Sequence, residues 1–366
     1  MKKERMANLE LLRSVAMGMV VVLHYLGKGG LLPELSGETL DSTGRTAWLL
    51  EAFSIVAVNV YMFISGYFLS TSSFKISRLV RLYFQVWFYS VAVGIVGALA
   101  GWTGDVPVDT HYFLTLLFPV SMGHYWFMTA YVYFYLLLPF LGIAVKKMSK
   151  RELGMSAMLL LTAFCFLKSV LPLRLEMDGQ GYDCLWYLCV FVAAAYIRRF
   201  GLPFLEKKGR GLLLYLIGCL AIFGGTFMLR AVYLKTGSFG LMLKMCFEYN
   251  HLLPFLAAVG LFFAFSRLQI SGKAAEVICR ISPYTLGVYL LHENIGVRYA
   301  WQNWLGAGQI GSPLSLIGRT ALAVLAVFTA GLLVDSVRAL LFDGIWNLLK
   351  RLPLLQHFLQ KQNEAE

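Results

Sequence analysis

Long apolar runs recur along almost the whole chain, and this repetition constrains the fold more than any single motif does. Hydrophobic residues make up 58% of the sequence and charged residues only 14%, whereas typical soluble domains carry about 25% charged residues. A helix needs about 20 apolar residues to cross a bilayer. The runs therefore predict an all-α, polytopic membrane protein.

The spacing of the runs predicts about ten transmembrane helices, the first over residues 11–29 and the ninth from about Pro283 to Trp301. The segment HYFLTLLFP, residues 111–119, is too short to span and is expected to be re-entrant or interfacial. We expect one integral membrane domain over residues 1–341 and an amphipathic cytoplasmic tail over residues 342–366. No cleavage signal follows the first run, so this helix is expected to be retained.

The net charge of +12 reflects lysines and arginines spread over short loops, and it does not indicate a nucleic-acid partner. With ten alternating spans, 23 of the 32 basic residues lie on the side of the N-terminus. The positive-inside rule then places both termini in the cytoplasm. We expect a multi-pass protein of the plasma membrane, of bacterial origin, in contact with membrane lipids.

Arg13 and His24 are the first polar pair that indicates function. Eleven steps of 100° bring a helix back to about 20° from its start, so the two residues share a face, about 16 Å apart along the axis. An ionisable group inside a span usually marks a functional path, and a neutral imidazole suits general-base chemistry. The alternatives are a polar packing contact for His24 and snorkelling of Arg13 to the interface.

Arg78 and Arg81 form an R-x-x-R pair directly after the second predicted helix. Residues three apart share a helical face, so both guanidinium groups can converge on one anion, and arginine binds phosphate well. The pair lies on the same predicted side as Arg13. The alternative is charge that only sets the topology.

Further polar and aromatic groups lie near the opposite side. Tyr125 and Trp126 open the fourth predicted helix, where an aromatic belt is the simplest explanation. Tyr131 shares a helical face with Tyr135 and is a candidate for lining a sugar-binding cavity.

Two more polar groups are candidates for substrate binding. Glu248 and Asn250 form a polar cluster near the outer face, and His292 with Glu293 interrupts the ninth predicted helix at depth. Polar groups at that depth favour a functional role over packing.

The six cysteines occur singly in apolar segments without a C-x-x-C pair. This pattern favours buried apolar residues, and we expect no metal site.

Several of these segments together resemble the acyltransferase 3 family of integral membrane acyltransferases. They are the R-x10-H of Arg13 and His24, SGYFLS at 65–70, the R-x-x-R pair, HYWFMTAYVYFYLLLPFL at 124–141 and SPYTLGVYLLH at 282–292. Their order and spacing extend the resemblance from about Asn8 to Leu341.

The resemblance implies transfer of an acyl group, usually acetyl, from cytoplasmic acyl-CoA to a hydroxyl group. The usual acceptor is a cell-envelope or exported glycan, or a lipid-linked sugar. His24 would be the catalytic histidine, Arg13 would support it or the donor, and Arg78 and Arg81 would hold coenzyme phosphates. Many relatives carry an appended extracytoplasmic domain. We expect none in this chain, so acceptor specificity is expected to lie in the membrane domain.

In the expected mechanism, His24 removes the hydroxyl proton, and Tyr125, Tyr131 or Trp126 stabilises the oxyanion. An acyl-histidine intermediate is the competing mechanism. Two other classes stay open: a transporter or flippase of a glycan precursor, and a sensor or assembly partner of a polysaccharide synthase. The sequence is also compatible with a homo-oligomer.

Overall fold

The structure is a computed structural model that describes residues 6–171 and 178–349 of the chain. Every regular element in this part is helical. The α-helices are α1 Ala7–Lys28, α2 Ser42–Ser54, α3 Ala57–Leu69, α4 Ile76–Leu99, α5 Thr110–Leu117, α6 Trp126–Lys147, α7 Lys150–Leu161, α8 Leu167–Val170, α9 Cys184–Phe200, α10 Arg210–Thr236, α11 Leu252–Ser266, α12 Gly272–Ile281, α13 Thr285–His292, α14 Trp301–Trp304 and α15 Pro313–Leu349.

Eight helical segments of the described chain are long and apolar enough to cross a membrane. They are Ala7–Lys28, Ser42–Leu69, Ile76–Leu99, Trp126–Lys147, Lys150–Val170, Arg210–Thr236, Gly240–Ser266 and Pro313–Gly344. These segments confirm the prediction of an all-α polytopic protein. The count is below ten because α9 has only 17 residues and α13 has 8.

The prediction of a continuous ninth helix from Pro283 to Trp301 was wrong. The helix ends at His292, and residues 293–300 form turns. Side chains replace the helical hydrogen bonds there: Asn294 Oδ1 accepts from the Gly296 amide at 2.8 Å, and the Arg298 guanidinium donates to the Glu293 carbonyl at 2.8–3.0 Å. Such local bonds compete with the helix, and here they end it.

Helix α1 lies inside the bundle, in contact with α2, α3, α11, α13 and α15. At one end, which we call the amino end, the Asn8 side chain donates to the carbonyl of Ser266 at 3.0 Å. At the opposite or far end, Lys28 forms an ion pair with Glu293. Helix α4 runs from the amino end to the far end, where Gly97 packs against the backbone of Gly296.

Helix α15 continues past the predicted domain boundary at residue 341 and reaches Leu349. The rest of the predicted tail, residues 350–366, lies outside the described residues. The domain division and the cytoplasmic location of both termini therefore stay predictions.

Helices α10 and α11 approach each other closely through glycines. A Cβ atom on Gly260 would lie 2.6 Å from the Tyr215 backbone nitrogen and 2.8 Å from the Gly211 carbonyl oxygen. Small residues allow membrane helices to pack at such short range.

We predict that Gly260→Ala destabilises the protein by about 1–3 kcal/mol, because the added methyl must push the two backbones apart. The matched control is Gly224→Ala in α10, where a Cβ meets nothing within 4 Å. Thermal unfolding in nanodiscs, followed by tryptophan fluorescence, measures both variants. Equal midpoints would show that the close approach does not support the bundle.

Candidate active site

Two histidines and a glutamate from opposite ends of the sequence meet at the far end of the bundle. The Nδ1 atom of His24 lies 2.8 Å from Nε2 of His292 and 3.2 Å from Oε2 of Glu293. His24 comes from α1, one turn before that helix ends, and the other two residues lie where α13 ends. The structure thus brings together two candidates that the sequence places 268 residues apart.

The hydrogen bonds assign the protons of both rings. Nδ1 of His292 lies 2.6 Å from the carbonyl oxygen of Val288, which can only accept, so this nitrogen carries the proton. In the neutral ring Nε2 of His292 is then an acceptor, and His24 Nδ1–H donates to it. The remaining nitrogen of His24, Nε2, keeps its lone pair.

The free nitrogen of His24 is accessible. Within the described part of the chain no group hydrogen-bonds to Nε2, and 18% of the side chain stays exposed. A neutral imidazole held by one nitrogen, with the other open, is the arrangement of a general base.

Glu293 balances two partly buried cations beside the histidines. Lys28 forms an ion pair with Oε2, and Arg298 Nε lies 3.7 Å from Oε1. The three side chains are 6–21% exposed. An ionised Glu293 leaves this cluster with one net positive charge, which favours negative charge that develops on a nearby substrate oxygen.

Lys28 and Arg298 were missed by sequence reasoning, which noted Glu293 without giving it a role. Lys28 had a usable signal, since it follows His24 by four residues and so shares its helical face. Arg298 had none, because its position depends on the helix break. Its guanidinium also donates to the His124 carbonyl at 2.7 Å.

Tyr125 lies next to the cluster, but its proton is engaged. Its hydroxyl donates to the carbonyl of Leu290 at 3.0 Å and accepts from Asn294 Nδ2 at 2.8 Å. Tyr289 offers an alternative donor: its ring centroid is 6.4 Å from that of His24, and its buried hydroxyl has no well-formed hydrogen bond. This tyrosine was not singled out from the sequence.

The remaining candidates at the far end do not touch His24. Glu248 and Asn250 bind Lys168 instead, at 2.6 Å and 2.8 Å. Trp126 stacks on Tyr249, with ring centroids 5.7 Å apart.

The candidate arginines lie at the amino end. Arg13 forms a salt bridge with Glu10 at 2.8 Å, and Arg78 and Arg81 are exposed on the first turns of α4. The ring of Tyr131 lies 5.9 Å from that of Tyr135, whose hydroxyl donates to the carbonyl of Lys75, three residues before Arg78. Arg13 and His24 are separated by about 16 Å of helix, so the structure keeps the arginines apart from the histidine pair.

A series of aromatic rings connects these two regions. The centroid of Tyr131 is 5.8 Å from that of Tyr187, which is 6.1 Å from Phe127. Phe127 is 6.3 Å from Tyr289, which in turn neighbours His24. The series leads from the arginines to the imidazole through the bundle interior.

The comparison with protein families decides the class of this chain. The model of the acyltransferase 3 family, described as an acyltransferase domain, matches residues 6–335, nearly the whole chain. The chain belongs to the acyltransferase 3 family. No curated protein and no solved structure matches it. Together with its apolar helices, membership makes the chain a multi-pass membrane acyltransferase.

In this acyltransferase we predict that Lys28 and Glu293 are energetically coupled. Glu293→Gln leaves two partly buried cations without a counter-charge, and such a loss costs up to about 3–5 kcal/mol. Lys28→Met in the same chain removes one of those cations and should restore part of the stability. Unfolding midpoints of the two single variants and the double variant give the coupling energy. Strictly additive effects would contradict the pair.

Proposed function

We propose that this protein is an acyl-CoA-dependent O-acyltransferase of the bacterial plasma membrane. It moves an acyl group, most simply acetyl, from cytoplasmic acyl-CoA to a hydroxyl of an envelope or exported glycan or a lipid-linked sugar. The observation that carries this proposal is the histidine pair, which leaves His24 Nε2 open beside Glu293. Membership of the acyltransferase 3 family supports the reaction class.

In the proposed step the acceptor oxygen attacks the thioester carbonyl while its proton passes to His24 Nε2. A C–O bond forms, the C–S bond breaks, and the proton then moves from His24 to the departing CoA thiolate. Glu293, 3.2 Å from Nδ1, stabilises the imidazolium that forms between these events. The ring returns to its neutral state when the thiol leaves.

The oxyanion of the tetrahedral intermediate needs a donor, and Tyr289 suits this role best. Its buried hydroxyl neighbours His24 and has no well-formed bond, whereas the proton of Tyr125 is already donated to Leu290. Tyr131 is a weaker candidate because it lies at the opposite end of the aromatic series from Tyr289. Trp126 is weaker because it stacks on Tyr249 instead of contacting His24.

The donor enters from the amino end in this proposal. Arg13, Arg78 and Arg81 bind CoA phosphates there, since arginine matches phosphate oxygens in bidentate geometry. The pantetheine arm then extends along the aromatic series toward His24. This route requires the amino end, and with it both termini, to face the cytoplasm.

We predict that His24→Ala abolishes ester formation, by at least about 100-fold, because the general base is lost. The measurement is mass spectrometry of envelope glycans from cells that lack the gene and carry each variant. The matched control is His111→Ala, an exposed histidine on α5. Near-normal ester levels in His24→Ala would remove this residue from the mechanism.

Two further measurements sharpen that result. Tyr289→Phe should lower the level of ester strongly, as loss of one oxyanion donor costs about 100- to 1000-fold in rate.

Purified His24→Ala should still show an acyl-CoA-dependent rise in its unfolding temperature. If wild-type protein shows no such rise, the transporter alternative is favoured over the acyltransferase with this donor.

We predict that Arg78→Ala and Arg81→Ala each weaken acyl-CoA binding by about tenfold or more, since a charge-assisted bond contributes about 1.5–3 kcal/mol. Arg151→Ala is the matched control, an exposed arginine at the start of α7. Titration of acetyl-CoA into protein in nanodiscs measures the affinity. Unchanged affinities in both variants would leave the pair as determinants of topology only.

A further inference from the structure

One backbone amide in the break after α13 is bonded by a side chain from a distant segment. The amide of Ile295 donates to Nε2 of His124 at 2.9 Å, across 171 residues of sequence. The next two amides, of Gly296 and Val297, bond within the break instead, to the side chain and the carbonyl of Asn294. The Ile295 amide is thus a point at which the break is tied to another part of the bundle.

Hydrogen bonds fix the proton of His124 on Nδ1. The hydroxyl of Ser90 on α4 donates to the carbonyl of Leu116 at 2.9 Å, so its oxygen accepts from His124 Nδ1–H, 2.8 Å away. Nε2 then carries the lone pair that the Ile295 amide needs. Burial lowers the pKa of His124 to about 3, and the charge of Arg298 adds to this effect. The ring therefore stays neutral at physiological pH.

The surroundings of His124 differ from those of a general base. The residue is only 4% exposed, and both of its ring nitrogens are bonded. Its ring also stacks on that of Tyr125, with centroids 4.1 Å apart and an angle of 7° between the planes. This arrangement leaves no nitrogen for a substrate, and it suits a ring that holds its neighbours in place.

The segment that His124 holds carries charged groups of the candidate active site. Glu293 lies two residues before Ile295 and approaches His24 Nδ1 to 3.2 Å. Arg298 lies three residues after Ile295 and donates to the backbone carbonyl of His124 at 2.7 Å. A shift of about 1 Å in the break would move Glu293 relative to the imidazole, and a misplacement of this size costs up to about 100-fold in rate.

We propose that His124 is a positioning residue of this acyltransferase. Its neutral ring, with the proton on Nδ1, holds the Ile295 amide and thereby keeps Glu293 beside His24. This inference rests on the proposed function, in which Glu293 stabilises the imidazolium of His24. The group that matters in this role is the Nε2 lone pair of His124, and not the volume of its ring.

Two replacements of similar length separate the lone pair from the volume of the ring. In His124→Gln the side-chain carbonyl can still accept from the Ile295 amide, whereas His124→Met fills the space without a strong acceptor. We expect His124→Gln to keep ester levels within about threefold of wild type and His124→Met to lower them about 10- to 100-fold. Mass spectrometry of envelope glycans measures the ester, relative to the amount of folded protein in the membrane. Equal ester levels in the two variants would overturn the proposal.

Solid-state ¹⁵N NMR of histidine-labelled protein in lipid bilayers tests the positioning directly. Wild-type His124 should show a neutral ring with its proton on Nδ1 from about pH 5 to pH 8. His124→Met should shift the ring signals of His24, whose Nδ1 faces Glu293, while His124→Gln should leave them in place. A proton on Nε2 of His124, or identical His24 signals in all three proteins, would contradict the inference.

These two measurements separate the inference from the proposed function. If wild-type cells contain no ester that depends on the protein, the proposed function fails, and the NMR spectra still decide whether His124 positions Glu293. If ester forms but the His24 signals do not respond to His124→Met, the positioning role fails and the acyltransferase proposal stands.

A third variant serves if His124→Met does not fold. The shorter amide of His124→Asn can still donate to Ser90, but it does not reach the Ile295 amide. We expect this variant to lose ester and to shift the His24 signals as described for His124→Met. Ester levels and spectra that match those of His124→Gln would overturn the proposal.

Discussion

The carboxylate of Glu293 is the interaction on which the candidate site depends. It contacts Lys28 and lies 3.2 Å from His24 and 3.7 Å from Arg298. A buried charge needs this kind of compensation, because an unpaired one would be strongly destabilising. The four groups converge only because the helix ends at His292 and the chain turns back toward α1. The helix break and the ion cluster therefore require each other.

The two ends of the bundle carry different chemistry, and α1 connects them. The amino end presents exposed arginines. The far end presents carboxylates that form ion pairs with lysines, together with histidines and stacked aromatic rings. The proposed reaction joins an anionic donor from one membrane face to a hydroxyl-bearing acceptor from the other. It needs this separation of charge between the two ends. The aromatic series between the ends offers an apolar wall for a flexible donor arm. His24 lies where the two approaches would meet.

The sequence predicted the parts of the fold that depend on local pattern. The apolar runs predicted the helices because a helix needs about 20 apolar residues to cross the bilayer, and a run of that length is visible in the sequence. Helical periodicity indicated His24. The helix break after His292 was missed because Asn294 and Arg298 are also held by the carbonyls of Tyr89 and His124, contacts made only in the folded chain. For the same reason Arg298 and Tyr289 could not be identified. Lys28 could have been found from its spacing to His24.

The geometry also favours direct transfer over an acyl-histidine relay. His24 has one open nitrogen, since Nδ1 is bonded to His292. If Nε2 took the acyl group, that ring could no longer remove the proton from the acceptor hydroxyl. A second base would be needed, and the unprotonated nitrogen of His292 is occupied by the His24 N–H. Direct attack needs only the open nitrogen, because one lone pair accepts the proton and then returns it to the leaving thiolate. The paired imidazoles thus suit a base better than a nucleophile.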